Sequence, residues 1–225
     1  MKRLQTDALW TEIDDYVNGL LVPDEAALDA ALKATADAGL PPINVAPNQG
    51  KLLMLLARAI GARRILEIGT LGGYSTIWLA RGLPQEGRLI TIEWNPACAK
   101  VARANLARAG LEAMVDVREG RAEDILPELV ADDPFDLVFI DADKPNTPLY
   151  FQWAVKLARK GSLIIVDNVV REGAILDEDG NADVQGMRAF LDLAASDPRV
   201  TGTVLQTVGA KGHDGLAILH VIADG

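Results

Sequence analysis

From Arg63 onward, short apolar runs alternate with stretches of helical spacing. Residues 63–68, 88–93, 114–118, 135–140 and 162–166 are compact apolar segments bounded by Gly, Pro or acidic residues, the pattern of buried strands. Between them the spacing predicts helices to about Gly82, from Asn95-Pro96 to Ala109, near Glu123 to Val130, and around Pro148 to Arg159. Such alternation specifies a parallel sheet with helices on both faces. The end of the chain breaks the pattern: Val200–Val208 and Leu216–Ile222 are joined by Gly209–Gly215 without a helix, which predicts a closing antiparallel hairpin and brings the strands to seven. Upstream, residues 7–22 and 24–38 have helical spacing, with Thr6 or Asp7 placed to cap the first and Pro23-Asp24-Glu25 opening the second. After the breaker Gly39-Leu40-Pro41-Pro42, a third helix is expected from near Pro47 to Ile60, apolar nearly all round and therefore buried. The expected organisation is one domain, with N-terminal helices over 1–61 and an α/β core over 62–225. The helices are placed to cover a ligand or to pair subunits.

Two sets of residues at strand ends carry the candidate chemistry. The first strand runs into Gly69-Thr70-Leu71-Gly72-Gly73-Tyr74-Ser75, a glycine-rich turn leading into a helix. Such a turn lets the backbone approach a ligand closely and presents unpaired N–H groups at the helix start. The next strand ends in Glu93, roughly 20 residues beyond the loop, where a carboxylate can accept hydrogen bonds from the hydroxyls of a ribose. An adenosine-like ligand follows. The glycines at 69, 72 and 73 do not form the G-x-G-x-x-G pyrophosphate cradle, and Glu67 before the loop suits a cationic ligand better than a polyphosphate. The second set lies at the ends of two later strands: Asp141 with Asp143 and Lys144, then Asp167 with Asn168. Carboxyl ends of neighbouring strands in an open α/β sheet face one crevice. Asp141, Asp167 and Asn168 are therefore expected to converge as an all-oxygen ligand set for a hard divalent ion such as Mg2+, with Mn2+ or Ca2+ as substitutes. The alternative is that these acids cap solvated loops.

The 225 residues are 49% hydrophobic, enough for a substantial core without a composition break. A formal net charge of -10 counts against capture of nucleic acid or anionic membrane and favours small substrates. Met1-Lys2-Arg3 meets Asp7, Glu12, Asp14 and Asp15 before any long apolar stretch, unlike a signal peptide. The most apolar window, Leu52–Ile60, contains Arg58 and is too short to span a bilayer. A cytoplasmic protein is expected. Cys98, the single cysteine, excludes an internal disulfide and reads as a packed structural residue in an Ala-rich helix. His213 and His220 read as a loop polar residue and a strand-face residue, and Trp94 as either an adenine neighbour or a core side chain.

The pattern E-x-G-x-x-x-G at 67–73 resembles motif I of S-adenosylmethionine-dependent methyltransferases, and a parallel sheet closed by an antiparallel strand resembles the class I methyltransferase fold. More specifically, ILEIGTLGGYS, TIEWNP, REGRAEDILPEL, FDLVFIDADKPNTPLY and GSLIIVDNVVREG, in that order, resemble the cation-dependent O-methyltransferases, the group containing caffeoyl-CoA and catechol O-methyltransferases. The resemblance implies that Val45, Glu67, Gly69, Thr70, Ser75, Glu93 and Ala122 contact S-adenosylmethionine, with Asp141 near its methionine portion. It implies that Asp141, Asp167 and Asn168 hold the metal, and that Lys144 with Asp141 forms the catalytic pair beside the reacting hydroxyl. Arg171 stands where the plant caffeoyl-CoA enzymes carry an aromatic residue, and Thr147 where they carry one of two tyrosines, so the likeness is to the small bacterial members. The implied activity is methylation of one hydroxyl of a catechol-like molecule, in a homodimer paired through N-terminal helices bearing Leu9, Ile13 and Leu20. Two alternatives remain open. A methyltransferase acting on a hydroxylated tRNA base would use the same residues on a basic surface, and a non-catalytic cofactor-binding protein would need Glu67 and Glu93 but not the ligand trio or Lys144.

Overall fold

The computed structural model describes the backbone of residues 2–224 and the side chains of 7–224. Three helices, α1 (Lys2–Leu21), α2 (Ala26–Asp37) and α3 (Pro47–Ala59), precede the sheet. The chain then alternates through β1 (Arg64–Ile68), α4 (Tyr74–Gly82), β2 (Arg88–Glu93), α5 (Pro96–Arg108), β3 (Val115–Glu119), α6 (Ala122–Ile125), β4 (Phe135–Ile140), α7 (Thr147–Leu157) and β5 (Ala158–Asp167). It ends with α8 (Ala182–Ser196), β6 (Val200–Gly209) and β7 (Gly212–Val221). The seven strands form one sheet in the order β3-β2-β1-β4-β5-β7-β6, parallel up to β5 and antiparallel through β7 and β6.

Both faces of the central strands are covered, which is why they read as continuous apolar runs rather than alternating ones. Leu66, Ile68, Val138, Ile140 and Ile164 pack with Phe151 and Phe190 on one face, while Ile65, Leu89, Leu137 and Phe139 pack with Leu53, Ile77 and Trp78 on the other. Ile68 pairs in register with Ile92 and Ile140, and Ile140 with Val166, so the carboxyl ends of four strands reach one level. The strand order reverses direction between β1 and β4, and a crevice opens there.

Several local expectations change. α1 begins at Lys2, so Asp7 lies inside the helix and caps nothing; the side chain of Thr6 is outside the described residues. α3 buries only one face, through Gly50, Leu53, Met54 and Ala57, and leaves Leu55 exposed. α6 lasts one turn before Pro127, and a 3-10 segment continues over 126–131. The terminal hairpin turns on Ala210-Lys211 alone, because β6 and β7 extend through the glycines expected to form a longer loop.

α8 was not expected at all. Its signal was present but brief: the Asn181 side chain accepts a hydrogen bond from Val184 N at 3.1 Å, and Val184, Met187 and Phe190 form the buried stripe. Gly186 brings α8 against the turn at Lys144; a Cβ there would stand 2.2 Å from the Lys144 carbonyl oxygen. α1 leaves Leu9, Ile13, Tyr16 and Leu20 exposed; Leu9, Ile13 and Leu20 are the residues through which the resemblance implies a homodimer. Among the described residues no helix is long and apolar enough to cross a membrane.

Candidate active site

The crevice is lined on one side by Gly69, Thr70, Ser75, Glu93, Trp94 and Ala122, and on the other by Asp141, Lys144, Asp167, Asn168 and Arg171. Residues 41–45 and Gln49 from the N-terminal segment complete its wall. Of the residues expected from the sequence to contact cofactor or metal or to act in catalysis, all but Glu67 reach the crevice.

Gly69 sits where β1 and β4 end together. Its φ of 98° is in the left-handed region, and a Cβ would lie 2.0 Å from the Asp141 carbonyl oxygen, so only glycine lets the two strand ends approach. The loop that follows is held by Glu93. Its Oε2 accepts from Thr70 N at 3.2 Å and Leu71 N at 2.8 Å, and its Oε1 accepts from Asn95 N at 2.9 Å. Glu93 thus ties the loop to β2 while still lining the crevice. Trp94, beside it, is 73% exposed and belongs to the crevice wall rather than to the core. Cys98 is buried, and burial pushes its thiol above the ordinary range, as expected of an inert packed cysteine.

Glu67 lies beneath this loop, fully buried. Its carboxylate accepts from Ser75 Oγ at 2.6 Å, Thr76 Oγ1 at 2.5 Å and Thr91 Oγ1 at 2.7 Å. Burial drives its pKa up to about 7, against the three hydroxyls that favour the charged form, with a smaller upward push from Asp141. The residue expected among the cofactor contacts therefore binds the strand to α4 instead of facing the crevice.

On the opposite side, Lys144 Nζ lies 2.7 Å from Asp141 Oδ1, with the lysine almost wholly buried under α8. Asp167 Oδ1 accepts from Asn168 N at 2.8 Å, and Oδ2 from the Gln49 side chain at 2.7 Å. Burial and the facing Asp141 carboxylate raise Asp167 to about 7, opposed by Lys144 and by the hydrogen bonds from Asn168 and Gln49. Asn168 adopts φ 60°, a left-handed conformation that Asn tolerates better than most residues, and Arg171 and Glu172 do the same at 52° and 55°. The turn is held from the hairpin: Asp214 Oδ1 accepts from Val170 N, Arg171 N and Gly215 N at 3.0, 2.9 and 2.9 Å. Arg171 itself pairs with Asp183 at the start of α8.

Gln49 and Asp214 are among the crevice residues that sequence reading missed. Neither belongs to a motif, and each meets its partner across a long stretch of chain. His213 bonds Gln206 across the hairpin and His220 is exposed on β7, away from this chemistry. Among the described residues no three His, Cys, Asp or Glu side chains cluster at metal-binding spacing; the trio at issue is two carboxylates and an amide.

The O-methyltransferase family model matches residues 21–219. The chain is 51% identical over 216 residues to a catechol O-methyltransferase of Niastella koreensis, covering 95% of this chain and 98% of that one. It is 54% identical over 210 residues to a catechol O-methyltransferase of Mycobacterium tuberculosis, covering 93% and 95%. The crystal structure of an O-methyltransferase from Bacillus cereus in complex with SAH superposes with a TM-score of 0.94 at 51% identity, over 95% of this chain and 99% of that one. With the glycine loop, the strand-end acids and the antiparallel closing hairpin all in the positions described, the chain belongs to the O-methyltransferase family and has the class I methyltransferase fold.

Proposed function

We propose that this S-adenosylmethionine-dependent O-methyltransferase methylates one hydroxyl of a catechol-like small molecule at a divalent-cation site formed by Asp141, Asp167 and Asn168. The observation that carries the reading is that Asp141, Asp167 and Asn168 line one crevice beside Lys144, with the Asp141 carboxylate close enough to Asp167 to act on its charge. The names of the two curated relatives support the acceptor class, and the SAH in the Bacillus cereus structure supports the cofactor.

The residues fit a hard cation. Asp167 is hydrogen-bonded by neutral donors only, and burial together with the facing Asp141 carboxylate raises its pKa, so a cation held by these residues would relieve a repulsion already in the site. All donors are oxygens. When bound, such an ion would accept two adjacent substrate oxygens and lower the pKa of the hydroxyl. The methyl group arrives already activated on a sulfonium, so the chain has to position the acceptor and remove its proton. Glu93 and the N–H groups of the glycine loop are on the side suited to the ribose, with Val45, Ser75 and Ala122 around it. Lys144 is the group set beside the reacting hydroxyl, and Asp141 holds its Nζ at the site.

A catechol can occupy two free ligand positions and a monophenol one. With saturating cofactor and Mg2+, transfer of a labelled methyl group should favour a catechol over a monophenol of equal size by about a hundredfold in kcat/KM, the product of two effects of about 1.4 kcal/mol each. A chelator should abolish transfer to both. Equal rates would defeat the two-oxygen acceptor, and full turnover with chelator present would defeat the cation.

A further inference from the structure

We infer that Gln49 is a positioning residue for the cation site: its side-chain amide sets the orientation of the Asp167 carboxylate from the far side of the crevice. The inference rests on the reading of Asp141, Asp167 and Asn168 as cation ligands. Gln49 Nε2 donates to Asp167 Oδ2 at 2.7 Å between residues 118 apart in sequence. The carboxylate can only accept, so the nitrogen of the amide must face it. With Asn168 N on the other oxygen at 2.8 Å, both oxygens are held from outside, and each keeps a lone-pair direction for a further partner.

The chemistry of the donor matters. A lysine or arginine at this position would fix the carboxylate and also neutralise it, competing directly with a cation. An amide fixes it and leaves the charge in place. The supporting side chains of metal sites act in this manner, orienting a ligand without entering the coordination shell.

Gln49 is itself fixed. It lies in the first turn of α3, where Gln49 N donates to Asn48 Oδ1 at 2.9 Å. Asn48 Nδ2 donates to Asp14 Oδ1 at 2.8 Å, and Asp14 Oδ2 accepts from Ala210 N at 2.8 Å. Asp14 is buried on α1 and Ala210 is in the turn of the terminal hairpin. The helix end that carries Gln49 is thus pinned by α1 and the hairpin together, and the amide reaches Asp167 from a supported position.

The test compares the wild-type chain with Gln49→Leu and Gln49→Met, each saturated with S-adenosylhomocysteine, by titrating Mn2+ and following the free ion by electron paramagnetic resonance. Methionine keeps the unbranched shape, so it serves if the leucine variant does not fold. Both variants should bind Mn2+ about tenfold more weakly, while S-adenosylhomocysteine affinity stays within about twofold. A variant that merely loosened the fold would weaken both ligands alike, and that result would overturn the positioning role. Wild-type Mn2+ affinity in either folded variant would also overturn it. Absence of Mn2+ binding by the wild-type protein would instead remove the cation site, and this inference with it.

Discussion

Two carboxylates at the strand ends, Glu67 and Asp167, are both raised to about 7 chiefly by burial, yet their surroundings are opposite. Glu67 is sealed under the glycine loop and surrounded by three hydroxyl donors. Asp167 lines the crevice, faces a second carboxylate, and is held by one amide and one backbone N–H. Burial alone therefore does not mark a binding group. The half around Glu93 is the more complete within the chain, since Glu93 accepts from three backbone N–H groups and keeps one lone-pair direction of Oε1 for a ligand. The half around Asp167 keeps like charges together beside a turn in which Asn168, Arg171 and Glu172 are left-handed, and it is here that the proposed cation would act.

The largest effect should come from the incomplete half. Asp141→Ala removes one of two carboxylates and leaves the Lys144 ammonium buried without its partner. Its kcat/KM for methyl transfer should fall on the order of a thousandfold, about 4 kcal/mol. Asn168→Ala should lose about tenfold less, because the proposed cation would lose a neutral ligand rather than a charged one. Equal losses in steady-state assays would erase the distinction between charge and geometry on this side.

A smaller effect is expected from the complete half. Glu93→Ala should weaken S-adenosylhomocysteine binding by about 1.5 to 3 kcal/mol, through lost ribose hydrogen bonds and a loop whose N–H groups have lost their acceptor. Calorimetry that finds unchanged affinity would remove Glu93 from the ligand's reach.

The smallest concerns pH. Because the pKa of Glu67 is higher in the folded protein than its ordinary value of 4.5, the folded state holds a proton that the unfolded chain has released. Its contribution to stability is full below pH 4.5, falls as pH rises to about 7, and is then constant. Thermal midpoints of the wild type should drop relative to Glu67→Gln across that window by a few degrees, a difference of about 1 kcal/mol or more. Asp167 supplies the same slope to both proteins and cancels. A constant gap between the two midpoints across the window would show that Glu67 is ionised throughout.

Much of this arrangement was legible before any coordinates. Five apolar runs marked the parallel strands because strands covered on both faces carry few polar residues, and the acids that followed each run had to lie at one edge of the sheet. Gly69, Glu93, Asp141 and Asp167 were found by that rule. α8 escaped because its apolar stripe is short and follows a stretch rich in Asp, Gly and Asn that reads as loop.

The sequence by itself determined the strand and loop order, the identity of the strand-end acids, and the absence of a thiolate or imidazole ligand set. Each is a property of neighbouring residues, set by local backbone preference and by the spacing of apolar side chains. Only the tertiary structure decided that Glu67 is sealed away while Asp167, though buried, lines the crevice, that Gln49 serves a carboxylate 118 residues distant, and that Asp214 and α8 hold the turns bearing Asn168 and Lys144. A buried carboxylate needs donors, but the periodicity of a chain does not specify which distant segment supplies them. That choice is made by how the helices pack across the sheet.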